Sequence, residues 1–368
     1  MKKYIYISLT VIFSIILFYL YYNLITKEDG WVLGDWLINY QDGGFKRRGL
    51  LGTLFVFLYD TLNLNIPKQV FFIATFLWLN FLLFLYTQIS KIKVNIFGII
   101  LLLFNTTSLF FNAVSTASIG RKEIILFNIF LLYTVYYDKL HYKWRTLIFG
   151  MLLLLVSFIH ELTFFYIGYF ILFDRIANKA KKVNVFSTFI YVSAVFIPVF
   201  LFYMFGGNIN SGHSLEFLKI KGINNLTNGI FNHHENYNTL QHYKIYFTGY
   251  LKYVIPLMIA YGSIFYFVRI YGPNYRIILK NFTINLLFSL PLFYLATDWG
   301  RWLNIHMILS TIGAIYLMTK EENKTEITKN QKFKIIVWVL LCAFIQTAVC
   351  CNGAKLNYFL EILLSKIP

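Results

Sequence analysis

Charged residues are scarce in this 368-residue chain, at 13%, and acids scarcer still, with 16 Asp and Glu against 33 Lys and Arg. A soluble globular domain carries about 25% charged residues, so a chain this poor in charge cannot cover a water-facing surface of its size. Cysteine is nearly absent too. Cys342, Cys350 and Cys351 all fall near the end, too few for a disulfide framework or a four-ligand zinc site. No Walker A loop, GxGxxG motif, heptad array or internal repeat occurs, which leaves nucleotide hydrolysis and dinucleotide chemistry without support. The net charge of +17 is spread over short loops and forms no basic domain with base-stacking aromatics, so nucleic acid is not an expected partner.

What the chain has instead is apolar length. Hydrophobic residues make up 58% and aromatics 20%, and the mean hydropathy is +0.61. The expected fold class is all-α: one polytopic transmembrane helical bundle spanning 1–368, with about 11 spans of the length a ~30 Å hydrocarbon core demands. The first span, Tyr4 to Ile25, follows two lysines and lacks a small-residue cleavage site, so it reads as retained with its amino terminus inside. Ten more segments follow, at 70–88, 94–113, 123–137, 146–159, 162–174, 185–205, 249–269, 281–296, 302–318 and 335–351. Alternating them from an inside start puts 19 of the 33 Lys and Arg inside with five acids, giving +14 there and about +3 outside. This frame places the carboxy terminus outside.

Three outer regions follow from the same frame: a first loop over 26–69, a large polar loop over 206–244, and a short turn at Thr297 to Arg301. Residues 50–60 are apolar but too short to cross, which predicts a juxtamembrane interfacial helix. The stretch 146–174 is broken at His160-Glu161, because one continuous span would carry Lys179, Lys181 and Lys182 to the outside.

Charges at membrane depth are costly and count as functional candidates. The first loop holds Asp35 and Asp42 among aromatics, then Arg47-Arg48, which sit on the side the charge bias disfavours and so call for a local partner. An aromatic belt with snorkelling Arg is the bland alternative. Arg121-Lys122-Glu123 stands at the outer start of the fourth segment. His160-Glu161 lies deep in an apolar run; Phe164 rules out an HExxH zinc motif. Asp298-Trp299-Gly300-Arg301-Trp302 puts acid and base three residues apart at a span edge, with His306 a turn further in. His233, His234, Glu235 and His242 in the large loop read as solvated residues, and no metal is expected. Grouped on one face, these residues suit a phosphate-bearing, lipid-carried substrate: Arg and Lys neutralise phosphate while a carboxylate or His accepts a hydroxyl proton.

At this point the DGGFKRRGL stretch, the His-Glu pair and the DWGRW turn, with a first span leading into an acidic outer loop and an interfacial helix, resemble membrane glycosyltransferases of the GT-C type. The size, span number and large outer loop are similar to those of bacterial O-antigen and capsule repeat-unit polymerases. The resemblance implies a multi-pass protein of the bacterial cytoplasmic (inner) membrane. It implies, as substrate, a polyprenyl-phosphate-linked or polyprenyl-diphosphate-linked glycan, membrane lipid as surroundings, other envelope polysaccharide assembly proteins as partners, and no cofactor. It implies catalytic roles for Asp35 or Asp42, with His160 and Glu161, and phosphate binding by Arg47, Arg48, Arg121, Lys122 and Arg301 beside Asp298. A GT-C transferase of single sugars, a non-enzymatic transporter or flippase of lipid-linked sugars, and a membrane acyltransferase are the rival expectations.

Overall fold

A computed structural model describes residues 2–115, 118–177, 183–207, 209, 211–226, 229–231, 239–321 and 326–356. The described chain is helical, apart from a two-stranded antiparallel ribbon, β1 (Ile345–Thr347) with β2 (Ala354–Leu356). His233, His234 and Glu235, with Lys179, Lys181 and Lys182, lie outside the described residues.

Six segments are long and apolar enough to cross a membrane. They are α1 (Lys2–Tyr21) with its π-helical extension Tyr22–Thr26, α4 (Ile66–Lys91), α8 (Tyr142–Ile159), α10 (Val185–Phe205), the consecutive α13 (Phe247–Leu251) and α14 (Val254–Tyr271), and α17 (Trp299–Lys320). At 1.5 Å per residue the shortest, of 18 residues, measures about 27 Å. Between them stand shorter helices: α2 (Leu33–Leu37), α3 (Gly49–Leu62), α5 (Phe97–Leu103), α6 (Leu109–Val114), α7 (Glu123–Tyr136), α9 (Thr163–Ala177), α11 (Ser211–Ile220), α12 (Thr239–Ile245), α15 (Arg276–Phe288), α16 (Leu290–Leu295) and α18 (Lys329–Phe344).

Helix α17 is the axis of the bundle, 89% buried over its apolar window, and packs against α4, α5, α7, α9, α14 and α15. Its hydrophobicity is nearly uniform around the helix, as a fully surrounded helix requires. Helices α1 and α10, buried over only 28% of theirs, form the outer shell, and their exposed Phe, Ile and Tyr face the lipid.

A helix, α3, covers the 50–60 stretch and is flanked by Arg48 and Asn63 in the left-handed region at φ 64° and 54°. The break at His160-Glu161 is present as well. Helix α8 stops at Ile159, His160 is extended, and α9 resumes at Thr163, whose hydroxyl donates to the His160 carbonyl. Elsewhere the helices depart from the hydropathy segments. The run 94–113 is two helices, because Asn105 interrupts it: its amide oxygen accepts from the Thr107 amide and hydroxyl while its amide group donates to Leu101 and Leu102 carbonyls. The last segment leaves the helix at Phe344 and enters the ribbon, where Thr106 and Thr347 share a hydroxyl contact of 2.8 Å.

Candidate functional site

The loop after α1 is held by buried indoles. Trp36 donates to the Gly120 carbonyl at 2.5 Å, and Trp78 to that of Ile119 at 3.1 Å. A side chain at Gly120 would meet Val32 at 2.2 Å, so a glycine is needed where the loop crosses the turn. Two elements distant in sequence are thereby clamped together, and Arg121-Lys122-Glu123 is delivered beside Asp35.

Arg48 joins the chain segments. Its Nε donates to both Glu161 oxygens at 2.9 and 3.0 Å, Nη2 to Oε1 at 2.7 Å, and Nη1 reaches Asp35 Oδ1 at 3.2 Å. This is the planar fork that an ammonium cannot reproduce. Arg47 approaches the same Glu161 at 3.7 Å with 42% of its side chain exposed. Lys122 Nζ donates to the carbonyls of Arg48 at 3.2 Å and Ile159 at 3.5 Å.

On the far side, Arg301 pairs with Glu123 and, at 2.5 Å, with Asp298. His160 closes the gap between the halves, its Nε2 3.7 Å from Glu123 Oε1 and its Nδ1 3.8 Å from Glu161 Oε2. The network thus sets carboxylates of Asp35, Glu123, Glu161 and Asp298 against Arg47, Arg48, Lys122 and Arg301, while Arg121 lies with its guanidinium 6.0 Å from the Trp31 ring. Asp35, Arg121, Lys122, Glu123, His160 and Arg301 are all buried.

Burial acts on these groups differently. For Asp35 it would raise the pKa, but Lys122, Arg48 and Arg121 outweigh it and hold the carboxyl well below the usual range. Burial pulls the Lys122 ammonium down to about 8, with Asp35 the strongest opposing influence. Arg121 is lowered by burial and then by Arg301. Among the described residues, Asp35 Oδ2, both ring nitrogens of His160, and Arg301 Nε are buried with no hydrogen-bond partner.

The two first-loop acids are separated. Asp35 enters the network, whereas Asp42 is buried against Lys46, donates its backbone amide to Asn39 Oδ1, and offers its carbonyl to His213 at 2.8 Å. Of the ten residues singled out from sequence, Asp42 alone has its described contacts elsewhere. Glu123, which bridges Arg301 and His160, was noted in the Arg121-Lys122-Glu123 run but given no role there. His306 does not join: its Nδ1 lies 3.0 Å from the Tyr169 hydroxyl and its Nε2 2.8 Å from the Ser289 hydroxyl, both in the core.

The Asp298–Arg301 turn faces two further features. Gly300 donates to the Val349 carbonyl at 3.1 Å, beneath the ribbon turn. Trp299 forms one wall of an apolar cavity of about 510 Å³, lined also by Tyr243, Tyr250, Tyr253, Phe293 and Leu303. In that turn His242 Nε2 lies 3.5 Å from Cys351 Sγ. Among the described residues His242, Cys350 and Cys351 are the group compact enough for a metal, but a disulfide joins the two cysteines and occupies both thiolates. Compared with known protein families, characterised proteins and solved structures, the chain matches none.

Proposed function

We propose that the protein is a glycosyltransferase acting at the outer face of the bacterial cytoplasmic membrane, joining a sugar or oligosaccharide from a polyprenyl-(di)phosphate carrier to an acceptor hydroxyl, and that it polymerises surface polysaccharide repeat units such as O-antigen or capsule. The observation that carries this reading is the single buried network formed by the first loop, the turn before α7, the α8–α9 break and the start of α17. Its unsatisfied nitrogens and its cations suit a phosphate and a hydroxyl, and the cavity beside Trp299 suits an isoprenoid chain.

In this reading His160 is the base. Asp35, held strongly acidic and fully buried, is a poor proton acceptor and instead keeps Arg48 and Lys122 in place. Glu123 and Glu161 flank the His160 ring and stabilise the imidazolium formed when it takes the acceptor proton. The acceptor oxygen then attacks the anomeric carbon, the bond to the carrier phosphate breaks, and Arg301, Arg121 and Lys122 receive the charge on the departing phosphate. The frame that accompanies the proposal has about 11 crossings.

The test uses vesicles containing the purified protein and a polyprenyl-diphosphate-linked glycan, with products resolved by length. A ladder is expected from the wild type, with a loss of roughly 100-fold for Arg301→Lys, the cost of one transition-state donor. Product limited to one added unit would favour a single-sugar transferase. Translocation of the carrier with no new glycosidic bond would favour a flippase and sink the proposal.

A further inference from the structure

The opposite end of the bundle carries a second basic site that the proposed reaction does not use. Lys2 and Lys3 from the start of α1, Lys91 and Lys93 around the end of α4, and Lys332 in the first turn of α18 line one cavity of about 1180 Å³. Three stretches far apart in sequence are needed to build it. Its floor is fixed: Lys2 Nζ donates to the Ser90 carbonyl at 2.6 Å, Tyr6 and Tyr86 pack with ring centres 4.8 Å apart, and α1 lies along α4.

Five lysines face Glu326 as the cavity's one acid among the described lining residues. No described carboxylate is in ion-pair contact with Lys2, Lys3, Lys91 or Lys332; Lys91 reaches only the Gln88 amide oxygen, at 3.4 Å, and Lys332 stands 5.7 Å from the Phe97 ring centre. In the network at the other end, carboxylates oppose the cations. Here Lys2, Lys3, Lys91 and Lys332 converge with no carboxylate of the described residues in contact with them, an arrangement that favours an anion. Further along the same two helices, α1 exposes Tyr4 and Ile7 and α18 exposes Phe333 and Ile336.

We propose that this cavity is a binding site for a phosphate-bearing anion, the headgroup of an acidic phospholipid, whose acyl chains lie along α1 and α18 and tie the two helices together. Lysines suit the task as flexible point charges that can close on a phosphate without the directional fork an Arg imposes. The site is independent of glycosyl transfer and would stand if that reading failed.

The experiment compares the purified wild type with a Lys2→Gln, Lys91→Gln, Lys332→Gln triple variant and a control triple, Lys139→Gln, Lys143→Gln, Lys280→Gln, which removes equal charge from exposed positions outside the cavity. Each is titrated with phosphatidylglycerol in a phosphatidylcholine background, with phosphatidylcholine alone, and with inorganic phosphate, following thermal stability and lipids retained in native mass spectra. Phosphatidylglycerol should stabilise the wild type and the control alike. The cavity triple should bind it far more weakly, each lysine accounting for about a fivefold factor. Stabilisation by inorganic phosphate that the cavity triple loses would support the phosphate site and assign it a soluble ligand. Equal losses in both triples would reduce the effect to diffuse surface charge and overturn the proposal, as would a wild type indifferent to phosphatidylglycerol and to phosphate.

Discussion

Arg48 shows how much one side chain holds in a buried network. It is the shared partner of Asp35 and Glu161, and Asp35 is fully buried. Removing one member of a buried pair leaves an uncompensated charge, at a cost of about 3–5 kcal/mol. Arg48→Ala should therefore lower thermal stability by that amount, whereas Arg48→Ala combined with Glu161→Gln should recover part of it; a double variant no more stable than the single one would show the pair to be energetically unimportant. Lys122 supplies a pH test. Its folded-state value of about 8 lies below the ordinary 10.5, so under the proposed mechanism activity should fall as pH rises through about 8 and the ammonium is lost. Linkage has the opposite sign. Between those two values the unfolded chain binds the proton and the folded chain does not, so this group favours folding more as pH rises. The alkaline loss of activity should thus occur without unfolding, and Lys122→Gln should be weaker but flat across the window. A profile unchanged by the substitution would remove Lys122 from the phosphate contacts. At this scale the sequence was informative about cost and silent about partners. Arg47, Arg48, His160 and Glu161 stood out because charge at membrane depth is expensive, but nothing in the spacing of Asp35 and Asp42 says which one meets Arg48 and which meets Lys46. Glu123 was visible beside Arg121 and Lys122, but its bridge to Arg301 and His160 was not, for the same reason.

Elements were legible where hydropathy alone decides them. Helix α10 is the apolar run 185–205, and α3 covers the short apolar run 50–60. They were not legible where a polar side chain replaces backbone pairing. Asn105 splits 94–113, and the Thr106–Thr347 contact draws the end of the chain out of a helix and into the ribbon, a long-range event that a local window cannot register. Gly300 is the joint between that ribbon and α17. A Cβ there would stand 1.9 Å from the Ala348 carbonyl oxygen and 2.9 Å from its carbon, backbone atoms with no rotamer through which to yield. Gly300→Ala should cost about 1–3 kcal/mol, as overpacking does, and expose the 348–353 turn to protease. Gly313→Ala in the same helix is the control. Its Cβ would meet only the side-chain tips of Ile176 and Ile278, at 3.4 and 3.6 Å. Equal melting temperatures and equal cleavage for the two variants would show that the ribbon is not anchored through Gly300.

For the molecule as a whole, the open question is how six long helices relate to about 11 expected crossings. The difference resides in five short or broken stretches: α5 with α6, α7, α9, α15 with α16, and α18. Helix α7 has 14 residues, about 21 Å, less than the hydrocarbon core. Such a helix crosses at little cost only when neighbours cover its ends and the membrane meets them instead, and α7 is packed between α4, α8 and α17. Parity separates the two counts, because an even number of crossings returns the chain to its starting side and an odd number does not. The contacts favour odd. Lys2 bonds beside the end of α4, while the ribbon bonds to Gly300 at the start of α17, in the turn that carries the Arg301 network. Basic ends agree with this: Lys2, Lys91 and Lys320 sit at the other termini of α1, α4 and α17. Alkaline phosphatase fused after Leu356 should consequently be active, as should one fused after Ile220, whereas a fusion after Leu140 should be silent and a cytoplasmic reporter there bright. An inactive phosphatase after Leu356 with an active one after Ile220 would mean that some of the five short stretches do not cross. Cytoplasmic labelling after Ile220 would place the Arg48–Glu161 network on the inner face and end the case for an outer-face glycosyl transfer.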